Sequence, residues 1–212
     1  MVMMNELHNR IKQMPLVAIL RGIQPHEAVP VSDALVDNGI PFMEVTLNSP
    51  DWDETIGRIK EKHGDNIILG AGTVLTPEDV ERVKAVGGQV IISPNMDEEV
   101  IRRTKELGLL SIPGCFTPTE CFKALKTGAD ILKIFPADTL GISFIKAISA
   151  VLPSDARICP TGGIGAENMH QFVAAGVYAM GMGSSLYKPG VAAVDVGQEA
   201  AKLVQAYRDA SQ

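Results

Sequence analysis

Two kinds of hydrophobic pattern alternate along this chain. Short runs rich in Val, Ile and Leu cover residues 16–20, 42–47, 67–74, 89–93, 109–112, 131–135, 157–160 and 178–183. Between them, apolar residues recur at helical spacing over 25–38, 50–62, 77–86, 98–107, 118–127, 142–151, 166–175 and 191–208. A half-exposed strand alternates apolar and polar positions, whereas these runs are apolar at nearly every position. They suit strands covered on both faces, as in parallel sheets flanked by helices. Ser49-Pro50, Thr76-Pro77 and Thr117-Pro118 each pair a capping hydroxyl with a first-turn proline. Gly39, Gly87, Gly108, Gly128 and Gly176 stand where helices should stop. Eight strand–helix units in regular alternation predict an α/β protein, a (β/α)₈ TIM barrel, as a single domain over residues 1–212. An open doubly wound sheet is the structural alternative, since alternation alone does not require closure.

Composition narrows the class. With 46% hydrophobic residues in 212, the chain can bury a sizeable core. A formal net charge of −6 and the lack of any Lys/Arg block argue against a nucleic-acid or anionic-membrane surface. The first residues carry Glu6, Arg10 and Lys12 and no continuous apolar stretch, so neither a signal peptide nor a membrane span is expected. Cys115, Cys121 and Cys159 make no CxxC pair, which fits reduced thiols in a cytoplasmic protein rather than a disulfide or zinc scaffold. His8, His26, His63 and His170 cluster with nothing, and no metal or cofactor is expected.

In a barrel of this kind the active site lies at the carboxyl ends of the strands. Lys133 is the most informative residue there, flanked by Ile131, Leu132, Ile134 and Phe135. It points either into helix packing or into the barrel, and burial favours the neutral, nucleophilic amine that imine formation needs. A lysine paired with a carboxylate, or reaching outward at the strand end, is the plainer alternative. Glu44 is a second anomaly, a carboxylate between Met43 and Val45, with alternation placing Glu44 and Thr46 on one face. It could pair with Lys133 as a proton shuttle or as an inert ion pair. Two glycine turns, Thr161-Gly162-Gly163-Ile164 and Gly181 to Ser185, follow the last two strands. Loops seven and eight are the usual phosphate site of such barrels, because glycines let backbone N–H groups approach an oxyanion. Arg21, ending strand one, is a candidate for neutralising a carboxylate or phosphate, and Thr73 for donating a hydroxyl to a substrate carboxylate. A rim position and a strand-end hydrogen bond are their plainer roles.

Several stretches carry a resemblance. They are Val17-Ala18-Ile19-Leu20-Arg21-Gly22, Glu44-Val45-Thr46-Leu47, Gly70-Ala71-Gly72-Thr73-Val74, Ile92-Ser93-Pro94, Ile112-Pro113-Gly114, Leu132-Lys133-Ile134-Phe135-Pro136 and Pro160-Thr161-Gly162-Gly163. Together they cover nearly the whole chain, which resembles the class I aldolases acting on 2-keto-3-deoxy-6-phosphogluconate (KDPG) or 2-keto-3-deoxy-6-phosphogalactonate (KDPGal). The resemblance implies that Lys133 forms the imine and that Glu44 is the general acid/base. It implies that Arg21, Thr73 and Pro94 hold the substrate and that Thr161, Gly162, Gly163, Gly183 and Ser184 bind it toward the phosphate. It also implies a homotrimer, and cleavage of KDPG to pyruvate and glyceraldehyde 3-phosphate, with KDPGal as the alternative substrate. The markers of the two branches conflict. Asn48, where some gluconate-type members carry arginine, and Arg21-Gly22 look like the galactonate branch, whereas Thr161 looks like the gluconate branch. A non-covalent phosphate-binding isomerase or epimerase and a non-enzymatic sugar-phosphate binder are the more distant readings.

Overall fold

The computed structural model describes residues 2–212, the side chains from residue 4 onward. Its strands are β1 (Leu16–Leu20), β2 (Phe42–Thr46), β3 (Ile68–Gly72), β4 (Val90–Ile92), β5 (Leu110–Ile112), β6 (Gly114–Cys115), β7 (Leu132–Ile134), β8 (Ile158–Pro160) and β9 (Met180–Met182). All of their pairings are parallel. β5 to β1 follow one another in order and β9 joins β1, while β6, β7 and β8 form a second run. Two seams join the runs. β5 and β6 are one barrel strand interrupted at Pro113, whose carbonyl still accepts from Lys133 N at 2.9 Å, as Ser111 O accepts from Ile131 N at 3.2 Å. A bridge from Thr161 to Gly181 links β8 to β9. The predicted barrel is therefore closed and the open sheet is set aside.

The helices fill the predicted intervals. They are α2 (Ala28–Asp37), α3 (Trp52–His63), α4 (Pro77–Ala85), α5 (Glu98–Glu106), α6 (Pro118–Thr127), α7 (Ala137–Ser149), α8 (Met169–Ala174) and α9 (Ala193–Ala210). Thr76 caps α4 by accepting from Asp79 N, and Thr117 with Glu120 closes a capping box on α6. Ser49 does not cap α3 as its Ser-Pro pattern suggested. Its hydroxyl is buried, accepts from Gly22 N at 2.8 Å and lies 3.1 Å from Thr46 Oγ1, so α3 starts at Trp52 instead. α7 begins earlier than predicted, because a first turn from Ala137 is separated by the non-helical Gly141 from the helix expected at 142.

One element was not anticipated: α1 (Val2–Gln13) precedes the barrel. Leu7 and Ile11 are buried with Val17, Phe42, Ile68, Val90, Leu110, Ile131 and Ala179, which stand near the starts of their strands. The alternate residues, such as Ala18, Met43, Leu69, Ile91, Leu132 and Met180, pack outward against the helices. α1 thus plugs the amino-terminal end of the barrel interior. Met4, Leu7 and Ile11, at helical spacing, are the signal that reveals it. The same alternation settles which way the anomalous residues point: Glu44 shares the face of Phe42, and Lys133 that of Ile131, so both project into the barrel.

Among the described residues no helix is long and apolar enough to cross a membrane. The three cysteines are free and buried.

Ile11→Ala removes a fully buried side chain from the plug and is expected to cost roughly 2–5 kcal/mol of unfolding free energy. Denaturant titration measures it; a loss below about 1 kcal/mol would mean that α1 is not part of the cooperative core.

Candidate active site

A cavity of about 380 Å³ opens at the carboxyl ends of the strands. Ile19, Arg21, Gly22 and Asn48 line it from β1 and β2, Lys133 and Phe135 from β7, and Thr161 and Gly162 from β8. Gly183, Ser184, Tyr187, Lys188 and Pro189 complete the wall after β9. Six of the expected residues therefore meet there: Arg21, Lys133, Thr161, Gly162, Gly183 and Ser184. Glu44 lies buried inside the barrel. Thr73, Pro94 and Gly163 are not among the lining residues.

Lys133 is only 5% exposed. Its Nζ stands 5.0 Å from the centre of the Phe135 ring, a cation–π contact between residues on the same strand face. Its neighbours in register are Gly114 on β6 and Cys159 on β8. Glu44 is 2% exposed, and its Oε1 has no hydrogen-bond partner. Among the described residues Lys133 and Glu44 form no ion pair within 4.0 Å, so the direct pairing considered from sequence is absent. Burial pushes the Glu44 carboxyl above its ordinary value, and the charges of Lys133 and then Arg21 pull the other way without cancelling it. Cys159 lies in the same interior, where burial pushes its thiol up to about 12 and keeps it protonated and inert.

Gly72 matters to this arrangement for its missing side chain. A Cβ there would come within 2.5 Å of Glu44 Oε1, so glycine leaves the room that the carboxylate occupies. The next residue, Thr73, is half-buried and holds a positive φ of 61°. A β-branched residue in that region stores of the order of 1–3 kcal/mol, a strain typical of binding and catalytic loops. Pro94 instead packs on Gly114, where a Cβ would meet Pro94 O at 2.2 Å.

The two glycine turns are braced against each other. Gly162 and Gly163 have φ of 104° and 67°, which other residues rarely adopt. Asn168 Nδ2 donates to Gly163 O at 2.7 Å, and Asn168 Oδ1 accepts from Gly165 N at 2.9 Å. Ser185 Oγ donates to Ile164 O at 2.7 Å and ties the second turn to the first. Gly183 O accepts from Leu186 N and Tyr187 N, which makes a single helical turn starting at the cavity wall. Next to the second turn, after β1, the exposed Arg21 guanidinium lies 3.4 Å from Asn48 Oδ1.

The comparisons with known proteins follow the same outline. The family model described as "KDPG and KHG aldolase" matches residues 7–201. The chain belongs to the KDPG and KHG aldolase family. An Escherichia coli (strain K12) relative named 2-dehydro-3-deoxy-6-phosphogalactonate aldolase is 46% identical over 200 residues, 94% of this chain and 98% of that protein. The Treponema pallidum (strain Nichols) 2-dehydro-3-deoxy-phosphogluconate aldolase is 35% identical over 174 residues, 82% of this chain and 81% of that one. A solved structure described as "Native KDPGal structure" superposes with a TM-score of 0.92 at 46% identity, covering 93% of this chain and 96% of that chain. This family member is thus an aldolase, a lyase by class, and the isomerase, epimerase and non-enzymatic readings are displaced.

Phe135, Tyr187 and Lys188 also line the cavity, beyond the residues that the sequence singles out. Phe135 was recoverable, because it sits two residues after Lys133 on one strand and so shares its face. Tyr187 and Lys188 lie just beyond the glycine turn at which the sequence signal stops. Among the described residues no group of three or more His, Cys, Asp or Glu is arranged to hold a metal ion.

The raised carboxyl of Glu44 sets a pH dependence of stability. A carboxyl that holds its proton more tightly when folded contributes stability below its ordinary value of 4.5, and that contribution is lost as pH rises through the raised folded value. Glu44→Gln, which cannot ionise, should therefore gain stability relative to the parent as pH rises through that window. Paired denaturation curves across the acid-to-neutral range test this, and a pH-independent difference would show that Glu44 titrates alike in both states.

Proposed function

We propose that this chain is a Schiff-base aldolase that cleaves 2-keto-3-deoxy-6-phosphogalactonate to pyruvate and glyceraldehyde 3-phosphate. One observation carries the chemistry: Lys133 and Glu44 are both buried in the barrel interior, near enough for the lysine to act on the carboxyl yet not paired. An inert ion pair would be in contact. Two groups kept apart leave each free to act on a third.

In this reading the neutral amine of Lys133 attacks the C2 ketone, and loss of water leaves a protonated imine that withdraws electrons. Glu44, directly or through a water molecule, removes the C4 hydroxyl proton as the C3–C4 bond breaks and its electrons enter the enamine. Glyceraldehyde 3-phosphate leaves, a proton returns to C3 with the help of Glu44, and hydrolysis of the imine frees pyruvate and Lys133. A carboxyl raised above its ordinary value suits both halves of that proton traffic. No metal is needed in this scheme, since the imine serves as the electron sink. Thr161, Gly162, Gly183 and Ser184 would take the phosphate, and Arg21 and Thr73 the carboxylate or nearby oxygens. Pro94 and Gly163 would act by shaping their loops.

The choice of epimer departs from the gluconate substrate placed first on sequence grounds. Identity of 46% to a relative named for the galactonate, against 35% to one named for the gluconate, supports the galactonate. So does Asn48 beside Arg21. The homotrimer implied by the resemblance, a cytoplasmic setting and a single-domain barrel belong to the same proposal.

Borohydride treatment with pyruvate, followed by peptide mapping, should leave a stable adduct on Lys133. Cleavage of the two C4 epimers should favour the galactonate in kcat/KM. Glu44→Gln should lower kcat by roughly 10²- to 10⁴-fold while still trapping pyruvate. Absence of any adduct in folded protein would end the Schiff-base reading. Loss of trapping in the Gln variant would make Glu44 structural, and a preference for the gluconate would reverse the choice of substrate.

A further inference from the structure

The cavity carries a charge that the proposed bond chemistry does not use. Arg21, Lys133 and Lys188 line it, and none of its lining residues is acidic. The substrate of the proposed reaction brings a carboxylate and a phosphate ester, the latter about −1.5 to −2 near neutral pH. Lys133 is committed to C2, where its charge reappears on the imine. Arg21 stands by Asn48 at the β1–β2 edge. That leaves Lys188, which forms no ion pair with a carboxylate within 4.0 Å among the described residues.

Its position is constructed on both sides. Glu27 accepts from Tyr187 Oη at 3.3 Å, from Gly190 N at 3.3 Å and from Gln24 N at 2.9 Å, so one carboxylate ties the 187–190 segment to the loop after β1. Pro189 packs onto Gly22, where a Cβ would come within 2.8 Å of its Cγ. Lys188 lies between these anchors, directly after the Gly183–Tyr187 turn, and shares a cavity wall with Gly162, Gly183 and Ser184.

We infer that Lys188 is the cation that selects for the phosphorylated end of the substrate. The inference rests on the aldolase reading and adds a determinant to it. Backbone N–H groups of the glycine turns supply direction, and a flexible ammonium at the rim supplies charge to a group it meets on entry. Such a contact favours bound substrate and transition state alike, so it should act on KM rather than on kcat.

Wild type, Lys188→Met and Lys188→Arg would be compared on 2-keto-3-deoxy-6-phosphogalactonate and on its unphosphorylated counterpart, with inorganic phosphate as inhibitor. In Lys188→Met, KM for the phosphorylated substrate should rise about tenfold with kcat held within about twofold. The ratio of kcat/KM between phosphorylated and unphosphorylated substrate should fall by a similar factor, inhibition by phosphate should weaken, and Lys188→Arg should recover most of the ratio. A parallel fall on both substrates would make Lys188 a structural residue, and a ratio within about twofold of wild type would remove it from recognition; either overturns the inference. Pyruvate trapping in the wild type separates the two levels, because pyruvate carries no phosphate. No adduct there overturns the aldolase reading and this inference with it, whereas an adduct with an unmoved ratio sinks only the role of Lys188.

Discussion

The arrangement depends on keeping a lysine and a glutamate inside an apolar barrel without letting them pair. Removing a charge from water is expensive, and close pairing is the usual compensation. Glu44 instead keeps an unpartnered oxygen, and burial makes its carboxyl hold its proton more tightly. Such a site costs stability, and the rest of the fold must supply the difference. The outward faces of the strands pack against the helices, and α1 closes the amino-terminal end with Leu7 and Ile11. Polar chemistry is thereby confined to one end of the interior, where the strands terminate and water can reach the cavity mouth.

Position at that end is enforced by hydrogen bonds that never touch the reacting atoms. Ser49 joins Gly22 to Thr46 and so fixes the end of β1 against the end of β2. Asn168 fastens the first glycine turn internally, and Ser185 locks the second turn to it. Glu27 joins the loop after β9 to the loop after β1. The braces of Ser49, Ser185 and Glu27 each span neighbouring strand ends, so the mouth is held from the end of β8 through β9 and β1 to β2. Charges along that arc can then be placed with the accuracy that recognition of the proposed substrate's two anionic groups would require.

Most of the barrel was legible because its signals were redundant. β1 and α6 fall on their predicted limits, since continuous apolar runs and a Thr-Pro cap leave few other interpretations. What escaped depended on contacts distant in sequence. Ser49 looks like a cap next to Pro50, and only the packing of β1 beside β2 turns its hydroxyl inward. α1 offered a weak stripe of apolar residues that becomes meaningful only when there is a barrel end to fill. For the site, Lys133 and Glu44 stood out as charges in apolar runs, and strand parity could have shown that they share the interior. Whether they touch was beyond sequence, since it depends on the span of the barrel. Lys188 was illegible for a different reason, because a lysine in a loop has no unusual neighbours until Glu27 and Gly22 are seen to hold the residues on either side of it.

The strand glycines show how composition encodes space for chemistry. In an isolated strand a glycine lowers stability, because it has no side chain to pack and much freedom to lose. Here the cost is local and the return is volume. A Cβ at Gly72 would strike Glu44 Oε1, one at Gly181 would lie 2.5 Å from Thr161 Oγ1, and one at Gly70 would meet Val90 O at 2.5 Å. The first two positions face polar groups of the interior, and the third lets a neighbouring strand approach. The glycines therefore leave room for Glu44 and Thr161, and a polar side chain stands where an apolar barrel would put its own bulk. Reactivity here follows from the distribution of side-chain volume, because the glycines allow a carboxylate to sit deep enough to be desolvated while remaining out of reach of the lysine.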